Sequence, residues 1–157
     1  MFIQYLTAFF ISMVPLIELR GGMVYAVGSG LPEIPALIVC AIGNMLPVPI
    51  IYFFARKVLE WGADKKYIGK FFRFCLEKGE KGGKKLTATA GRGGLFVALM
   101  LFVGIPLPGT GAWTGTLAAS FLNMGIKSTS LAVSLGVVIA GIIMGIVSLT
   151  GVHVFGL

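Results

Sequence analysis

Charge is scarce in this chain and is confined almost entirely to one segment. Only 12% of the 157 residues are charged, whereas 57% are hydrophobic. Outside residues 56–92 the charged residues are Glu18, Arg20, Glu33 and Lys127. So little charge in so apolar a chain excludes an ordinary soluble domain and indicates an integral membrane protein built from helices.

Cysteine and histidine are also rare, with two cysteines and one histidine. Cys40 lies in an apolar run and Cys75 in the charged segment, so we expect neither a disulfide framework nor a zinc site. The sequence contains no Ser/His/Asp set, paired-carboxylate site or metal-ligand cluster. We therefore predict that the protein is not an enzyme and uses no metal or cofactor.

The charged segment is strongly basic. Residues 56–92 hold eleven of the thirteen lysines and arginines but only four of the six acids, a net charge of +7. Apolar blocks flank it, so the positive-inside rule predicts a cytoplasmic loop of a multi-pass inner (plasma) membrane protein, and a nucleic-acid partner is not expected. Apolar residues at helical spacing predict an amphipathic helix on the membrane surface, followed by a Gly/Lys-rich turn at 77–85. These residues are Ile68, Phe71, Phe72 and Cys75.

The longest uncharged run does not fit a whole number of membrane spans. Residues 93–126 form 34 consecutive uncharged positions, interrupted at 105–111 by Ile-Pro-Leu-Pro-Gly-Thr-Gly. One span needs roughly 20 apolar residues, so the run is too long for one pass and too short for two. The pattern predicts a re-entrant hairpin, whose irregular tip is tolerated in a bilayer only where protein or a polar cavity surrounds it. Residues 34–55 and 128–157 are long enough for one span each.

The two ends of the chain are similar in pattern. Val14-Pro15-Leu16 aligns with Ile105-Pro106-Leu107 at an offset of 91, and a Gly-rich stretch, a turn and one long apolar run follow in both. We therefore predict a single membrane domain, residues 1–157. Repeat 1 (1–55) and repeat 2 (93–157) each comprise a hairpin and a span, and the basic loop 56–92 lies between them. With that loop inside, the repeats are inverted and both tips lie near the midplane, as in many secondary transporters. Four ordinary kinked spans are the alternative.

Two charges fall deep in the first apolar block, Glu18 and Arg20. A charge there is costly, so it normally faces a cavity or pairs with another group. In one interpretation Glu18 relays a proton or substrate and Arg20 binds an anion. In the other the two form a structural ion pair that holds the hairpin tip.

The remaining candidates surround the two breaks. Backbone groups near Thr110 could bind an anionic group at half-helix N-termini, or form only a tight turn. We expect Asn44 and Trp113 either to line the cavity or to serve only as packing residues. The residues predicted to break the helices are Pro15, Gly21, Gly22, Pro106, Pro108, Gly109 and Gly111.

Two motifs carry a family resemblance: Pro15-x-x-Glu18-x-Arg20-Gly21-Gly22, and the run from Ile105 to Gly115. Together they resemble the small multidrug export family, which is similar to a distant branch of the DedA/VTT membrane superfamily. The resemblance implies two re-entrant hairpins and a transporter or lipid-translocating role. DedA proteins are associated with moving undecaprenyl phosphate or other lipids, and their second hairpin carries an arginine pair that has no counterpart at Ile105 and Gly111.

The sequence thus predicts a small transporter or lipid translocase with a midplane site between two hairpins and possible proton coupling. The alternatives are a proton-coupled exporter of cationic compounds and a non-transporting membrane scaffold. An anionic substrate would require Arg20, whereas a cationic one would require only Glu18. Expected partners are membrane lipids, a small-molecule or lipid substrate, and further copies of the chain in a homo-oligomer.

Overall fold

The computed structural model describes residues 1–107 and 110–155, and within them the structure is helical without strands. The predicted breaks at Pro108 and Gly109 lie outside the described residues. Some side chains also lie outside the description, namely those of residues 59, 75, 76, 78–80, 82, 83, 86, 87 and 152–155.

The chain begins with two short helices, α1 (Phe2–Met13) and α2 (Glu18–Gly28). Between them Val14 is extended (φ −72°, ψ 129°), and Pro15 follows it. The Gln4 side-chain amide at the start of α1 donates to the Ser29 carbonyl just after α2, at 3.3 Å. The two helices therefore fold back on each other as a hairpin.

The next two helices, α3 (Glu33–Met45) and α4 (Pro47–Ala63), run on almost continuously. They meet at Leu46, which keeps helical angles (φ −60°, ψ −40°). Pro47 explains the interruption because it has no N–H to donate to the preceding turn. Glu33–Ala63 is long and apolar enough to cross a membrane, with 31 residues and a mean hydropathy of 2.1 in its most apolar window.

Helix α5 (Gly69–Gly104) changes the expected organisation of the basic segment. The turn predicted at 77–85 is wrong, because the backbone stays helical there. Most of residues 56–92 belongs to the end of α4 and the start of α5, so this segment is largely helical. The one break inside α5 is at Gly91 (φ 70°, ψ 175°), where the basic part meets the apolar part.

The chain ends with a short helix, α6 (Ala112–Phe121), and a long one, α7 (Ile126–Phe155). Residues 126–151 of α7 form the second membrane-crossing candidate, with a mean hydropathy of 2.5. Helix α7 packs against α2, α3 and α5, while α6 packs against α4 and α5.

The distribution of apolar side chains is that of a membrane protein. Leu19, Val103 and Val137 are almost completely buried between the helices. Large apolar side chains also cover the outside; Phe54 is 67% exposed and Ile146 is 61% exposed. Water-exposed apolar patches of this extent are rare on soluble monomers, whereas a bilayer solvates them. The chain is thus an all-helical membrane protein in its described residues.

Candidate functional site

The break between α1 and α2 and the break between α5 and α6 lie against each other. Arg20, on the first turn of α2, donates from its guanidinium to the backbone carbonyl of Leu107. It also donates to the carbonyl and the hydroxyl oxygen of Thr110, both at 2.7 Å. Both carbonyls lie beyond the end of α5, where the helical hydrogen bonds stop. The Leu107 carbonyl also accepts from the Thr110 N–H at 3.2 Å, and the Arg20 guanidinium adds a charged donor to each carbonyl.

Glu18 binds the other side of the same break. One carboxylate oxygen accepts from the Ala112 N–H at 3.2 Å and the other from the Trp113 N–H at 3.0 Å. These are the first N–H groups of α6, which has no side-chain cap from its own segment. A carboxylate suits this place because it accepts orphan N–H groups and faces the positive end of the helix dipole.

Gly111 allows this approach. Its backbone (φ 146°, ψ −170°) lies in a region that residues with a β-carbon rarely adopt. A β-carbon added there would also overlap the Glu18 carboxylate, lying 2.7 Å from Oε1. Gly111 thus lies in the second break, and a glycine is favoured there for two separate reasons.

The first break is also strained. Leu16 (φ 70°) and Glu18 (φ 52°) both have positive φ, which is uncommon for residues other than glycine. Such geometry persists only where the surroundings hold it, and here the bonds from Glu18 to α6 do so. The Glu18 side chain is only 4% exposed.

Glu18 and Arg20 do not form the ion pair that one interpretation predicted. Among the described residues, the structure contains a single salt bridge, between Arg56 and Glu60. Glu18 and Arg20 instead bind opposite ends of the second break, one its N–H groups and the other its carbonyls. They also line a common cavity of about 10 Å³, room for roughly one water molecule.

The other predicted site residues are partly brought together. Asn44 of α3 lines the same cavity, is 2% exposed and has no hydrogen-bond partner for its Oδ1 atom. Thr110 accepts from Arg20, and its hydroxyl lies 2.8 Å from the Ile105 carbonyl. Trp113 contributes its backbone N–H rather than its ring, whose buried Nε1 also has no partner. The unpartnered atoms of Asn44 and Trp113 are polar groups at which a ligand or water could bind.

Pro15 and Pro106 lie in the two breaks, whereas Gly21 and Gly22 do not. Both glycines are inside α2. The structure shows another reason for Gly22: a β-carbon there would lie 3.0 Å from the Cys40 sulfur and 3.1 Å from the Ala8 carbonyl oxygen. It permits close packing of α2 on α1 and α3, as small residues do in membrane bundles.

Sequence reasoning missed the contributions of Leu107 and Ala112. Each takes part through its backbone alone, so no residue type could have indicated it. Among the described residues, no group of three or more His, Cys, Asp or Glu side chains could hold a metal ion.

A comparison with protein families gives one match. Residues 18–143 match the model of a family described as "Putative small multi-drug export protein". No curated protein and no solved structure matches the chain significantly. The matched region begins at Glu18 and includes both breaks and most of α7.

Proposed function

Because the chain belongs to this small multi-drug export family, we propose that it is a membrane exporter whose transport site lies between the two breaks. Its most specific support is the pair of bonds from the Glu18 carboxylate to the first N–H groups of α6. We further propose that each break is the tip of a re-entrant hairpin and that the two halves of the chain are inverted repeats. The wider relation to the DedA/VTT superfamily stays a prediction.

Helix length supports the re-entrant hairpins. Helices α1, α2 and α6 have 12, 11 and 10 residues, respectively. At 1.5 Å per residue they are roughly 15–18 Å long, about half of the ~30 Å hydrocarbon core. None can cross a bilayer alone, whereas a pair that turns back at midplane can remain buried in one.

Close contacts support the repeat. A β-carbon on Gly43 of α3 would lie against the carbonyl of Phe9 of α1, and one on Gly136 of α7 would lie 2.7 Å from the carbonyl of Met100 of α5. Gly43 and Gly136, on the long helices, are 93 residues apart in the sequence, whereas Phe9 and Met100, on the helices they contact, are 91 residues apart. The difference of two residues falls in the second break.

The ends of the short helices correspond as well. After α2, the Leu31 N–H donates to the Ala26 carbonyl at 3.0 Å, with Gly30 at positive φ. After α6, the Met124 N–H donates to the Ala119 carbonyl at 3.0 Å, with Asn123 at positive φ. Both are Schellman-type ends, again offset by 93.

The contacts of Arg20 favour a cationic or neutral substrate over an anionic one. Two of its three guanidinium nitrogens already donate to the backbone of the second tip, so an anion would have to displace those bonds. The Glu18 carboxylate can give up its hydrogen bonds to the two α6 N–H groups and bind a proton or a cation instead. Protonation would remove the negative charge that the two α6 N–H groups bind, weaken the contact between the tips and allow them to separate. Glu18 would thus couple proton binding to opening of the site.

Transport by reconstituted protein tests this proposal. Ethidium uptake into proteoliposomes driven by a pH gradient would be compared for wild type, Glu18→Gln and Glu33→Gln. Glu33 provides the matched control because it is an exposed carboxylate at the start of α3. The amide of E18Q cannot bind and release a proton as the carboxylate does, so E18Q should reduce proton-driven transport by about tenfold or more, and E33Q by less than about twofold.

The E18Q substitution would also place an amide N–H₂ against one α6 N–H group, so the fold of each variant must be checked by thermal unfolding. Normal transport by E18Q with unchanged pH dependence would overturn the proton role and leave Glu18 as a structural cap. If folded wild-type protein transported no cation and responded to no pH gradient, the non-transporting scaffold would be favoured.

A further inference from the structure

A second and much larger cavity lies away from the two breaks, at the base of the second hairpin. It is open to the outside, has a volume of about 870 Å³ and lies between α5 and the turn that connects α6 to α7. By comparison, the cavity at Glu18 has a volume of only about 10 Å³. The site described above does not use it.

The polar wall of this cavity is cationic. Lys84 and Arg92 of α5 and Lys127 of α7 line it, and none of the lining side chains that the structure describes is a carboxylate. Within the described part of the chain, none of the three makes a salt bridge. Three cations around one cavity provide strong attraction for an anion, and a phosphate group is the usual partner of such a cluster.

The floor of the cavity is apolar. Leu95 and Met124, which line it, are 8% and 6% exposed, and Leu122 lies beside them. Arg92 is the last charged residue before the uncharged run 93–126, and Lys127 is the first after it. The cavity therefore lies where the charged segment meets the apolar one, at the level expected for lipid headgroups.

We propose that this cavity binds the phosphate headgroup of an anionic membrane lipid, with the lysines and arginine on the phosphate and the lipid's apolar part along Leu95 and Met124. Basic pockets on the cytoplasmic side of helix bundles recognise headgroups in this way. The cavity is much larger than one inorganic phosphate ion, and its apolar floor would serve no purpose for a free ion. The corresponding turn of the first half, residues 29–32, carries no lysine or arginine, so only one leaflet would be recognised.

Titration of purified full-length protein in detergent tests the proposal, with dioleoylphosphatidylglycerol as the probe and dioleoylphosphatidylcholine as the uncharged comparison. The test variant is Arg92→Gln/Lys127→Gln. Lys66→Gln/Lys70→Gln removes the same charge from exposed positions outside the cavity. Because each substitution removes a charge-assisted contact to the phosphate, the cavity variant should bind phosphatidylglycerol at least about tenfold more weakly than wild type. The control should change by less than about twofold.

Three results would overturn the proposal, provided that each variant unfolds at the wild-type temperature without lipid. An equal loss of phosphatidylglycerol affinity in both double variants would mean that the basic segment as a whole attracts the anionic lipid. Equal binding of the two lipids would exclude recognition of the headgroup charge. Inorganic phosphate binding as tightly as the lipid, with the same sensitivity to R92Q/K127Q, would identify a free-phosphate site instead. None of these outcomes depends on transport or on Glu18.

Discussion

Replacing Gly111 with alanine should destabilise the contact between the two breaks by two separable effects. The first is backbone strain, because φ is 146° at this position; such strain costs about 1–3 kcal/mol. The second is overlap of the new methyl group with the Glu18 carboxylate, whose Cδ atom would lie 2.5 Å away. Moving Glu18 away removes its bonds to α6, at least about another 1.5–3 kcal/mol. The total is roughly 2.5–6 kcal/mol.

Two other glycines separate these effects. Gly91 has φ 70° but no atom within 4 Å of an added β-carbon, so Gly91→Ala measures backbone strain without overlap. Gly145 is helical, and its added β-carbon would lie an ordinary 3.6 Å from Met23, so Gly145→Ala should be neutral or stabilising by up to about 1 kcal/mol. Gly136 is not a suitable control, because its added β-carbon would lie 2.7 Å from the Met100 carbonyl oxygen.

Thermal unfolding in one detergent measures all three variants. For a chain of this size 1 kcal/mol shifts Tm by roughly 2–4 °C, so Gly111→Ala should lower Tm by at least about 5 °C. It should lower Tm further than Gly91→Ala, and Gly145→Ala should not lower it. Equal shifts for Gly111→Ala and Gly91→Ala would mean that the Glu18 contact contributes nothing measurable. A Gly111→Ala protein as stable as Gly145→Ala would refute the backbone geometry of the second break.

Two further predictions concern Arg20 and the topology. Arg20→Lys should lower Tm and transport more than Arg73→Lys does. One ammonium group cannot reach the carbonyls of both Leu107 and Thr110, whereas Arg73 donates to the single carbonyl of Ala63. Equal effects in the two variants would contradict this prediction. In a cysteine-free background, a membrane-impermeant maleimide should label a cysteine at position 32 but not at position 127 in intact cells. Labelling of position 127 from outside would favour four ordinary spans over the two hairpins.

The positions of the breaks could be predicted from sequence because proline acts locally. Pro15 and Pro106 lack the N–H that a continuing helix needs, and α1 and α5 end just before these residues. The Gly/Lys-rich stretch at 77–85 misled for the opposite reason. Glycine costs only about 1 kcal/mol in a helix, and the Glu77/Lys81 and Glu80/Lys84 spacings favour one.

The partners of the site residues could not be predicted. Glu18 and Arg20 were identified because a charge in an apolar block is conspicuous at any position. Apart from the Thr110 hydroxyl, which accepts from Arg20, the partners are backbone groups. Every residue except proline carries the same backbone donor and acceptor. Which of these groups are left free depends on where α5 ends and α6 begins, and which lie near Glu18 depends on the packing of the two halves.

The proposed repeat explains why the two charged site residues, Glu18 and Arg20, occur in the first half only. The offset of 93 makes Gly111 the equivalent of Glu18, and Trp113 the equivalent of Arg20. Glu18 binds the N–H groups of Ala112 and Trp113, so residues 18–20 lie against their own equivalents, as positions near a two-fold axis do. Two glutamates at such positions would place like charges together in a buried site, and two glycines would leave the first N–H groups of α6 unsatisfied. One half therefore supplies the charged side chains, and the other supplies the glycine and the backbone groups that they bind. A movement that separates the halves must break the bonds of Glu18 and those of Arg20 together.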